Sequence, residues 1–328
     1  MTKLYNVAVC GASGVVGRKI IEVLEERDFP IKTLSLFASS RSAGQTVEFK
    51  GEPITIQELT EDSLKAPIEL AFFSAGGETS EKFAPIAAQN GVKVVDNSSA
   101  WRMDPSIPLV VPEVNPDALT KDSTIIANPN CSTIQSVAAL APLRPYGIKR
   151  VVYNTYQAVS GAGQKGIADL ENRTTDNFPY LISDSVIPQI DVFLENGYTK
   201  EENKMIEETR KIFAIPELRV TATTVRVPIK NSHGVSINVE LDKEFDLETV
   251  KQEIADYARI VLVDDPSNLR YPLQSDANDT DEVYVGRIRR DESLENGLNL
   301  WVVADNIRKG AATNSIQIAE TLVKNNLI

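Results

Sequence analysis

Cysteine and histidine are scarce in this chain of 328 residues, which has two cysteines, Cys10 and Cys131, and one histidine, His233. Two cysteines do not make a disulfide framework, and this favours a reducing cytoplasm. So few thiol and imidazole groups cannot assemble a zinc-type ligand cluster, and we expect no metal site. The chemistry of the protein must therefore come from few residues.

Positive charge is also in short supply. Lys and Arg number 34 against 46 Asp and Glu, which gives a net charge of −12. Nucleic acid is therefore not expected as a partner, because binding to a phosphate backbone relies on clustered Lys and Arg. A local basic pocket for a small anion stays compatible with this charge, since net charge does not describe one cleft.

Long apolar runs are absent as well. No stretch approaches the roughly 20 apolar residues that span a bilayer. The apolar run at the start of the chain is interrupted by Asn6 and leads directly into a glycine-rich turn, so we expect neither a signal peptide nor a membrane anchor.

What the chain does contain is typical of a globular protein. Its length suits two domains, and its residues are 42% hydrophobic and 24% charged. The first half alternates short apolar strands with amphipathic helices, which predicts a parallel sheet with right-handed crossovers. The predicted strands are Tyr5–Cys10, Leu34–Ala38, Leu70–Ser74 and Val92–Asp96, and the predicted helices are Gly17–Glu26 and Ser80–Asn90.

The second half has longer strands, several of which alternate. They are predicted at Val151–Val159, Arg219–Pro228, Val235–Leu241, Val283–Arg289 and Leu298–Ala304. Helices are predicted at Glu201–Phe213, at Leu247–Val261 after the capping residue Asp246, and at Thr313–Asn326. The fold class is therefore α/β. An N-terminal Rossmann-like domain with a parallel sheet joins an α+β domain with a mostly antiparallel sheet and helices on one face, and the last helix returns to the first domain.

The segment from Val7 to Gly17 predicts a nucleotide site. It reads as a strand, a glycine-rich turn with the spacing G-x-x-G-x-x-G, and the start of a helix. Glycine lets the backbone approach a pyrophosphate, whose charge then lies at the helix N-terminus. A glycine triplet alone is often a mere turn, but its place after the first strand of an α/β region favours nucleotide binding.

The end of the second strand favours NADP. An NAD enzyme usually carries Asp or Glu there for the ribose 2′-hydroxyl, whereas this strand leads into Ser39-Ser40-Arg41-Ser42. A guanidinium group with flanking hydroxyls suits a 2′-phosphate. The alternative is a solvated surface loop.

Cys131 is the candidate nucleophile. It follows the apolar strand Thr124–Ala127 and precedes a helix, so it is expected at a helix N-terminus. Backbone N–H groups and the helix dipole there stabilise a thiolate, and the same N–H groups could hold an oxyanion. The alternative is an inert buried cysteine, which is our interpretation of Cys10 inside the first strand.

His233 is the candidate acid–base partner. It lies between two predicted strands in the sequence VRVPIKNSHG, and imidazole transfers protons near neutral pH. A lone histidine is more often incidental than catalytic, so the residue pattern alone leaves its role open.

Several motifs occur in order along the chain and together resemble the aspartate-β-semialdehyde dehydrogenase family nearly from end to end. They are GASGVVG, SSRSAG, VVPEVN, NPNCSTIQ, TYQAVSGAG, EENKM, VRVPIKNSH and WVVADNIRKGAATNS. The resemblance implies NADPH-dependent reductive dephosphorylation of L-aspartyl-4-phosphate to L-aspartate-4-semialdehyde through a Cys131 thioester. It further implies a place in lysine and diaminopimelate, threonine and methionine biosynthesis.

The resemblance also implies site roles. Gln157 would orient the reacting group, and His233 would act as acid and base. Arg226 would bind the substrate carboxylate, Glu201 the amino group, and Arg102, Asn130 and Lys204 the phosphate. Without the resemblance, Glu201 and Lys204 would be an ordinary solvated pair three residues apart on a helix, and Arg102 a surface arginine.

The cofactor contacts implied in the same way lie in both halves of the chain. They are Gly11, Ser13, Gly14, Val15, Val16, Ser39, Arg41, Ser42, Ser160, Gly161 and Gly163, with Asn306 facing the nicotinamide side. Residues 1–130 and 309–328 would form the NADP-binding domain, and residues 131–308 the catalytic and dimerisation domain. The small-molecule substrates are aspartyl phosphate, aspartate semialdehyde and phosphate, and the assembly is expected to be a homodimer or a dimer of dimers.

The chain departs from the family pattern in two places. The region 164–187 is shorter than in many relatives, and Thr313 stands where a tryptophan is expected. Two alternative enzymes are an N-acetylglutamyl-phosphate reductase, for which Glu201 would have little purpose, and a glyceraldehyde-3-phosphate dehydrogenase, whose nucleophile motif differs. A non-catalytic nucleotide sensor would bind NADP(H) without turnover.

Overall fold

A computed structural model describes residues 3–65 and 67–328 of the chain. These residues divide into two compact units. The N-terminal unit consists of residues 1–129 with 311–328, apart from the three residues outside the described ranges, and the C-terminal unit is Asn130–Gly310.

The N-terminal unit is built on a sheet of seven strands among its described residues, in the order β3-β4-β2-β1-β5-β6-β7. All neighbouring strands are parallel except β3 and β4, which form an antiparallel hairpin. The strands are β1 Tyr5–Cys10, β2 Ile31–Ala38, β3 Thr46–Phe49, β4 Glu52–Glu58, β5 Leu70–Phe73, β6 Lys93–Asp96 and β7 Ile125–Ala127. The helices are α1 Val15–Glu26, α2 Gly77–Gln89 and, at the end of the chain, α8 Thr313–Lys324.

The last helix of the chain belongs to this core. Ile316, Ala319 and Leu322 of α8 are buried in one apolar cluster with Ile20 and Leu24 of α1 and the apolar side chains of β1. Their spacing of three residues places them on one face of the helix, as the apolar pattern of this segment predicts.

The C-terminal unit is built on a six-stranded sheet with the order β11-β12-β13-β10-β8-β9. Three of the five neighbouring pairs are antiparallel, so the prediction of a mostly antiparallel sheet is confirmed. The strands are β8 Ile148–Gln157, β9 Arg219–Arg226, β10 His233–Leu241, β11 Ile260–Leu262, β12 Val283–Asp291 and β13 Gly297–Ala304. The helices are α3 Cys131–Leu140, α4 Gly163–Asn172, α5 Lys200–Phe213, α6 Leu247–Ala255 and α7 Gln274–Ala277.

Burial alternates along β8, an interior strand of this sheet. Val151, Tyr153 and Thr155 are buried, whereas the intervening Val152 and Asn154 are partly or fully exposed. The Tyr153 hydroxyl lies 3.2 Å from that of Thr209 on α5. One face of the sheet is therefore covered by helix and the other is open, as expected for a half-buried sheet.

Four details differ from the sequence prediction. The predicted helix Leu247–Val261 is wrong beyond Ala255, because Arg259 has a left-handed backbone (φ 63°) and Ile260–Leu262 then pairs with β12. The hairpin β3–β4, which turns at Lys50-Gly51, and the helix α4 were not predicted. His233 is the first residue of β10 and pairs with Ala304, instead of preceding the strand.

Candidate active site

A cavity of about 550 Å³ lies in the N-terminal unit at the carboxyl ends of four neighbouring parallel strands. Its lining comes from the segments after β1, β2, β4 and β5, together with the start of α2: Gly11, Ser13, Gly14, Ala38, Ser39, Ser40, Arg41, Glu58, Leu59, Ser74, Ala75, Thr79 and Phe83. Ligands of open α/β sheets bind at this position, where the strand order reverses.

Two glycines are required by the tight turn before α1. Gly11 has φ +94°, and a Cβ on it would lie 2.4 Å from the carbonyl oxygen of Ser74. A Cβ on Gly17 would lie 2.1 Å from the carbonyl oxygen of Gly11. The helix therefore starts in close contact with the turn, and its first N–H groups have no side-chain acceptor at the capping position, which is Gly14.

The predicted cofactor residues separate into two groups. Gly11, Ser13, Gly14, Ser39 and Arg41 line the cavity, and the neighbouring Val15, Val16 and Ser42 do not. The remaining four, Ser160, Gly161, Gly163 and Asn306, belong to the C-terminal unit.

Arg102 is buried in the N-terminal unit and is not a surface side chain. Its Nε donates to the carbonyl oxygen of Asn128 at 3.0 Å, and Nη2 donates to that of Asn97 at 2.9 Å. These backbone contacts fix the direction of the guanidinium group.

Cys131 is the first residue of α3, as its sequence context predicts, and it is partly exposed. Asn130 caps this helix: its side-chain Oδ1 accepts from the N–H groups of Ser132 at 2.9 Å and Thr133 at 3.3 Å. Gly310 packs against the same residue, since a Cβ on this glycine would lie 2.8 Å from that of Cys131. Cys131 is thus held by a capped helix and a glycine contact.

The cap corrects one expectation about the helix N-terminus. The N–H groups of Ser132 and Thr133 bind the Asn130 side chain, and that of Ile134 binds the Asn130 carbonyl oxygen at 2.9 Å. In this structure these three groups are therefore not available to an oxyanion, because each already has an acceptor.

Glu201 connects most of the residues predicted to bind substrate. Its Oε1 accepts from Asn130 Nδ2 at 2.8 Å and from Gln157 Nε2 at 3.3 Å. Its Oε2 forms an ion pair with Lys204 at 3.2 Å, and Lys204 also pairs with Asp191 at 3.0 Å. Although burial lowers the pKa of Lys204, the two carboxylates raise it above its ordinary value. Glu201 and Lys204 are therefore not an isolated solvated pair.

Arg226 and His233 meet at Gly161. A Cβ on Gly161 would lie 2.7 Å from Arg226 Nη1 and 3.4 Å from His233 Nε2. Arg226 Nη1 also donates to the carbonyl oxygen of Ala158 at 2.7 Å. Burial lowers the pKa of Arg226, while the negative charges of Glu201 and Cys131 act in the opposite direction.

The tautomer of His233 follows from its hydrogen bond. Its Nδ1 lies 3.1 Å from the backbone nitrogen of Ala158 and accepts that N–H, so the neutral ring carries its proton on Nε2. Complete burial, followed by repulsion from Arg226, lowers the pKa of His233 well below 6.5, so the ring is neutral at pH 7.

Two buried donors close to Gly161 lack a partner. Within the described part of the chain, neither His233 Nε2 nor Arg226 Nε has a hydrogen-bond acceptor. Unsatisfied buried donors are rare in native proteins, and a bound anion or oxyanion is a physical explanation for them.

Asn306 is predicted to face a nicotinamide, and its amide is engaged within the C-terminal unit. Its Oδ1 accepts from the backbone N–H of Ser232 at 2.9 Å, and Nδ2 donates to the Ser160 hydroxyl at 3.0 Å. Asn306 therefore ties the 3₁₀ turn Val159–Ala162 to the residue preceding His233.

Two residues around the nucleophile were missed by the sequence reasoning. Gln135, one helical turn after Cys131, donates from Nε2 to the carbonyl oxygens of His233 at 3.1 Å and Val302 at 3.3 Å. Glu208 on α5 accepts the backbone N–H of Asn130 at 2.7 Å. Their spacing gave a usable signal, because Gln135 follows Cys131 by four residues and Glu208 follows Glu201 by seven.

The second cysteine contrasts with Cys131. Cys10 is fully buried in β1, and burial, with a smaller contribution from Asp96, raises the pKa of its thiol far above the ordinary value. A neutral thiol without solvent access is a poor nucleophile.

Within residues 3–65 and 67–328, no helix has the length and apolar character to cross a bilayer. In the same ranges, no three His, Cys, Asp or Glu side chains are grouped so that they could bind a metal ion.

Comparison with known proteins matches two family models to the two halves of the chain. "Semialdehyde dehydrogenase, NAD binding domain" matches residues 6–122, and "Semialdehyde dehydrogenase, dimerisation domain" matches residues 140–309. The aspartate-semialdehyde dehydrogenase of Aquifex aeolicus is 52% identical over 99% of both chains. The chain belongs to the aspartate-semialdehyde dehydrogenase family. The resemblance stated from the sequence is thereby confirmed.

Solved structures of aspartate-semialdehyde dehydrogenases agree with this assignment. Aspartate semialdehyde dehydrogenase II from Vibrio cholerae, complexed with ASA, has a TM-score of 0.95 and 47% identity over 99% of both chains. The enzyme from Candida albicans with NADP has a TM-score of 0.81 and 25% identity, covering 99% of this chain and 100% of that one. The predicted two-domain α/β fold class is confirmed.

Proposed function

We propose that the protein is an NADP-dependent aspartate-semialdehyde dehydrogenase that works through a covalent thioester on Cys131. The observation that carries this proposal is the pair of unsatisfied donors, His233 Nε2 and Arg226 Nε, in the unit whose helix α3 begins at Cys131. The curated relatives of this name and the ASA complex of a relative support the choice of substrate.

The cavity of the N-terminal unit fits a dinucleotide phosphate. Gly11 and Gly17 leave no space for side chains in the turn, and α1 begins with uncapped N–H groups, which suit a pyrophosphate. Arg41, Ser39 and Ser40 line the cavity and offer a cation and hydroxyl groups for a 2′-phosphate. The NADP complex of a relative supports the same choice.

In the biosynthetic direction, the Cys131 thiolate attacks the carbonyl carbon of aspartyl phosphate, the C–S bond forms, and phosphate leaves with the electrons of the broken C–O bond. NADPH, when bound, supplies the hydride that reduces the thioester. His233 holds a proton on Nε2 and can hydrogen-bond it to the resulting alkoxide oxygen, which stabilises the charge until the carbonyl re-forms, the C–S bond breaks with its electrons returning to sulfur, and the aldehyde is released.

The substrate is proposed to be held by the network around Glu201. Arg226 would bind its carboxylate, Glu201 its amino group, and Gln157 would orient the reacting carbonyl. Lys204 and Asn130 would hold the phosphate. Lys204 supplies the positive charge, and the side chain of Asn130 is fixed by its cap of α3 and its contact with Glu201. Arg102 is proposed as a further phosphate ligand because its guanidinium direction is fixed by two carbonyl oxygens.

Assembly and setting are part of the proposal. The name of the matched dimerisation domain and the open face of the β8 sheet support a homodimer. Cys10 and Cys131 form no disulfide in the described part of the chain, and we infer that the protein works in the reducing cytoplasm. The reaction would serve the synthesis of lysine and diaminopimelate, threonine and methionine.

The decisive assay is NADP⁺ reduction with L-aspartate semialdehyde and phosphate, with N-acetylglutamate semialdehyde as the competing substrate. The two cysteines provide a matched pair of variants: Cys131→Ser should abolish turnover and keep NADP binding, whereas Cys10→Ser should keep turnover. Mass spectrometry of the trapped acyl-enzyme should place the adduct on the peptide with Cys131. Preference for the acetylated substrate, or an adduct on the Cys10 peptide, would refute the proposal.

A further inference from the structure

Helix α5 carries two buried carboxylates that both bind Asn130. Glu201 Oε1 accepts from the Asn130 side-chain Nδ2 at 2.8 Å, and Glu208 Oε2 accepts from the Asn130 backbone N–H at 2.7 Å. The two glutamates are seven residues apart, about two helical turns, and therefore lie on the same face. Glu208 is only 1% exposed.

The N–H that Glu208 accepts belongs to the residue immediately before the nucleophile. Asn130 is the cap of α3, and its side-chain oxygen accepts from Ser132 and Thr133. Its backbone is extended (φ −59°, ψ 143°), so the chain changes direction there before the first helical residue, Cys131. A rotation of this peptide would move the cap and Cys131 together.

We propose that Glu208 is a positioning residue for Cys131, acting through the backbone N–H of Asn130. This inference rests on the proposed role of Cys131 as nucleophile. Substrate contact is assigned to Glu201, and Glu208 fixes the peptide from which the sulfur projects. A carboxylate suits this task because it is an acceptor only and forms short hydrogen bonds with N–H groups.

Three substitutions separate the parts of this proposal. Glu208→Leu removes the acceptor, and Glu208→Asp keeps the charge but withdraws the carboxylate by one methylene group. Glu208→Gln keeps an oxygen that accepts the N–H. Thr209→Val is the matched control. Thr209 is the next residue of α5 and is fully buried, but its hydroxyl lies 3.2 Å from that of Tyr153 on β8.

The main readout is the rate at which iodoacetamide alkylates Cys131, followed by mass spectrometry of its peptide. This reaction needs neither substrate nor cofactor, and buried Cys10 provides an unreactive internal reference. Steady-state kcat and KM, NADP binding and the urea midpoint of unfolding are measured on the same variants.

Glu208→Leu should slow alkylation and lower kcat by about 10- to 100-fold, the range for a reacting group displaced by a fraction of an ångström to one ångström. KM for aspartate semialdehyde and NADP binding should stay within about twofold of the wild type. Glu208→Asp should show a smaller loss in the same two rates, and Glu208→Gln should recover most of both. Thr209→Val should lower only the urea midpoint.

Two results would overturn the inference. One is that Glu208→Leu and Glu208→Asp both keep the wild-type alkylation rate and the wild-type kcat. If Glu208→Leu does not fold, wild-type rates in Glu208→Asp alone overturn the inference. The other is an equal loss of both rates in Thr209→Val, which would make Glu208 merely structural. A Cys131→Ser variant that keeps turnover would refute the proposed function itself, whatever the Glu208 variants do.

Discussion

Gly161→Ala should damage catalysis without changing a single functional side chain. The backbone of Gly161 is not in the left-handed region, so alanine brings no conformational penalty there. Its Cβ would, however, lie 2.7 Å from Arg226 Nη1. Restoring a tight contact of 3.4 Å requires the guanidinium group to retreat by roughly 0.7 Å.

That retreat strains or breaks the 2.7 Å hydrogen bond from Nη1 to the Ala158 carbonyl oxygen. A hydrogen bond to a charged group contributes about 1.5–3 kcal/mol. If the same amount is lost from transition-state binding, kcat/KM for aspartate semialdehyde falls by about 10- to 150-fold.

The assay is the initial rate of NADP⁺ reduction at varied aspartate semialdehyde, with saturating NADP⁺ and phosphate. Gly77→Ala is the control, because nothing lies within 4 Å of a Cβ at Gly77 and its backbone is also outside the left-handed region. A folded Gly161→Ala enzyme whose kcat/KM stays within about twofold of the wild type would show that Arg226 does not bind the substrate in this position.

Three other predictions follow from the site. Arg41→Ala should weaken NADP⁺ binding by about 1–3 kcal/mol and leave NAD⁺ binding nearly unchanged, as measured by fluorescence titration; equal weakening of both would make Arg41 structural. Arg102→Lys should raise mainly the KM for phosphate, whereas Arg226→Lys should lower kcat/KM for aspartate semialdehyde. Both effects are expected because lysine cannot reproduce a fixed guanidinium fork. If the phosphate dependence of Arg102→Lys is unchanged, Arg102 does not belong to the site. His233 has a pKa lowered in the folded state, so the unfolded chain binds more protons below about pH 6.5 and stability is lost as the pH falls. The urea midpoint should therefore drop more between pH 7 and pH 5 for the wild type than for His233→Gln, and parallel pH curves would contradict this reading.

The start of α3 was predictable because it depends on local sequence. A strand, a short polar turn with the capping residue Asn130, and an apolar helix place Cys131 at the first helical position. The return of α8 to the first domain was also predicted, since its apolar spacing leaves a face that must be covered. Both features follow from patterns that extend over one or two elements.

Other features depend on contacts that the sequence does not reveal. The segment after Ala255 is apolar enough for a helix or a strand, and pairing with β12 decides for the strand. The turn Lys50-Gly51 of the missed hairpin has positive φ at both residues, but Lys is not a typical residue for such a turn. The spacing of seven residues places Glu208 on the same helix face as Glu201, but only the fold shows that Glu208 is buried and contacts Asn130.

The corrected role of the α3 N-terminus changes how the thiolate must be stabilised. The N–H groups of Ser132, Thr133 and Ile134 already have acceptors, so they cannot bond directly to the sulfur. The helix dipole still favours a negative charge there, but it acts at a distance. Arg226 is a cation whose pKa responds to the charge of Cys131, and burial strengthens that attraction. We therefore propose two tasks for Arg226, which would favour the thiolate before substrate binds and hold the substrate carboxylate afterwards. A neutral His233 adds no competing charge, and its Nε2 proton would serve the reacting oxygen.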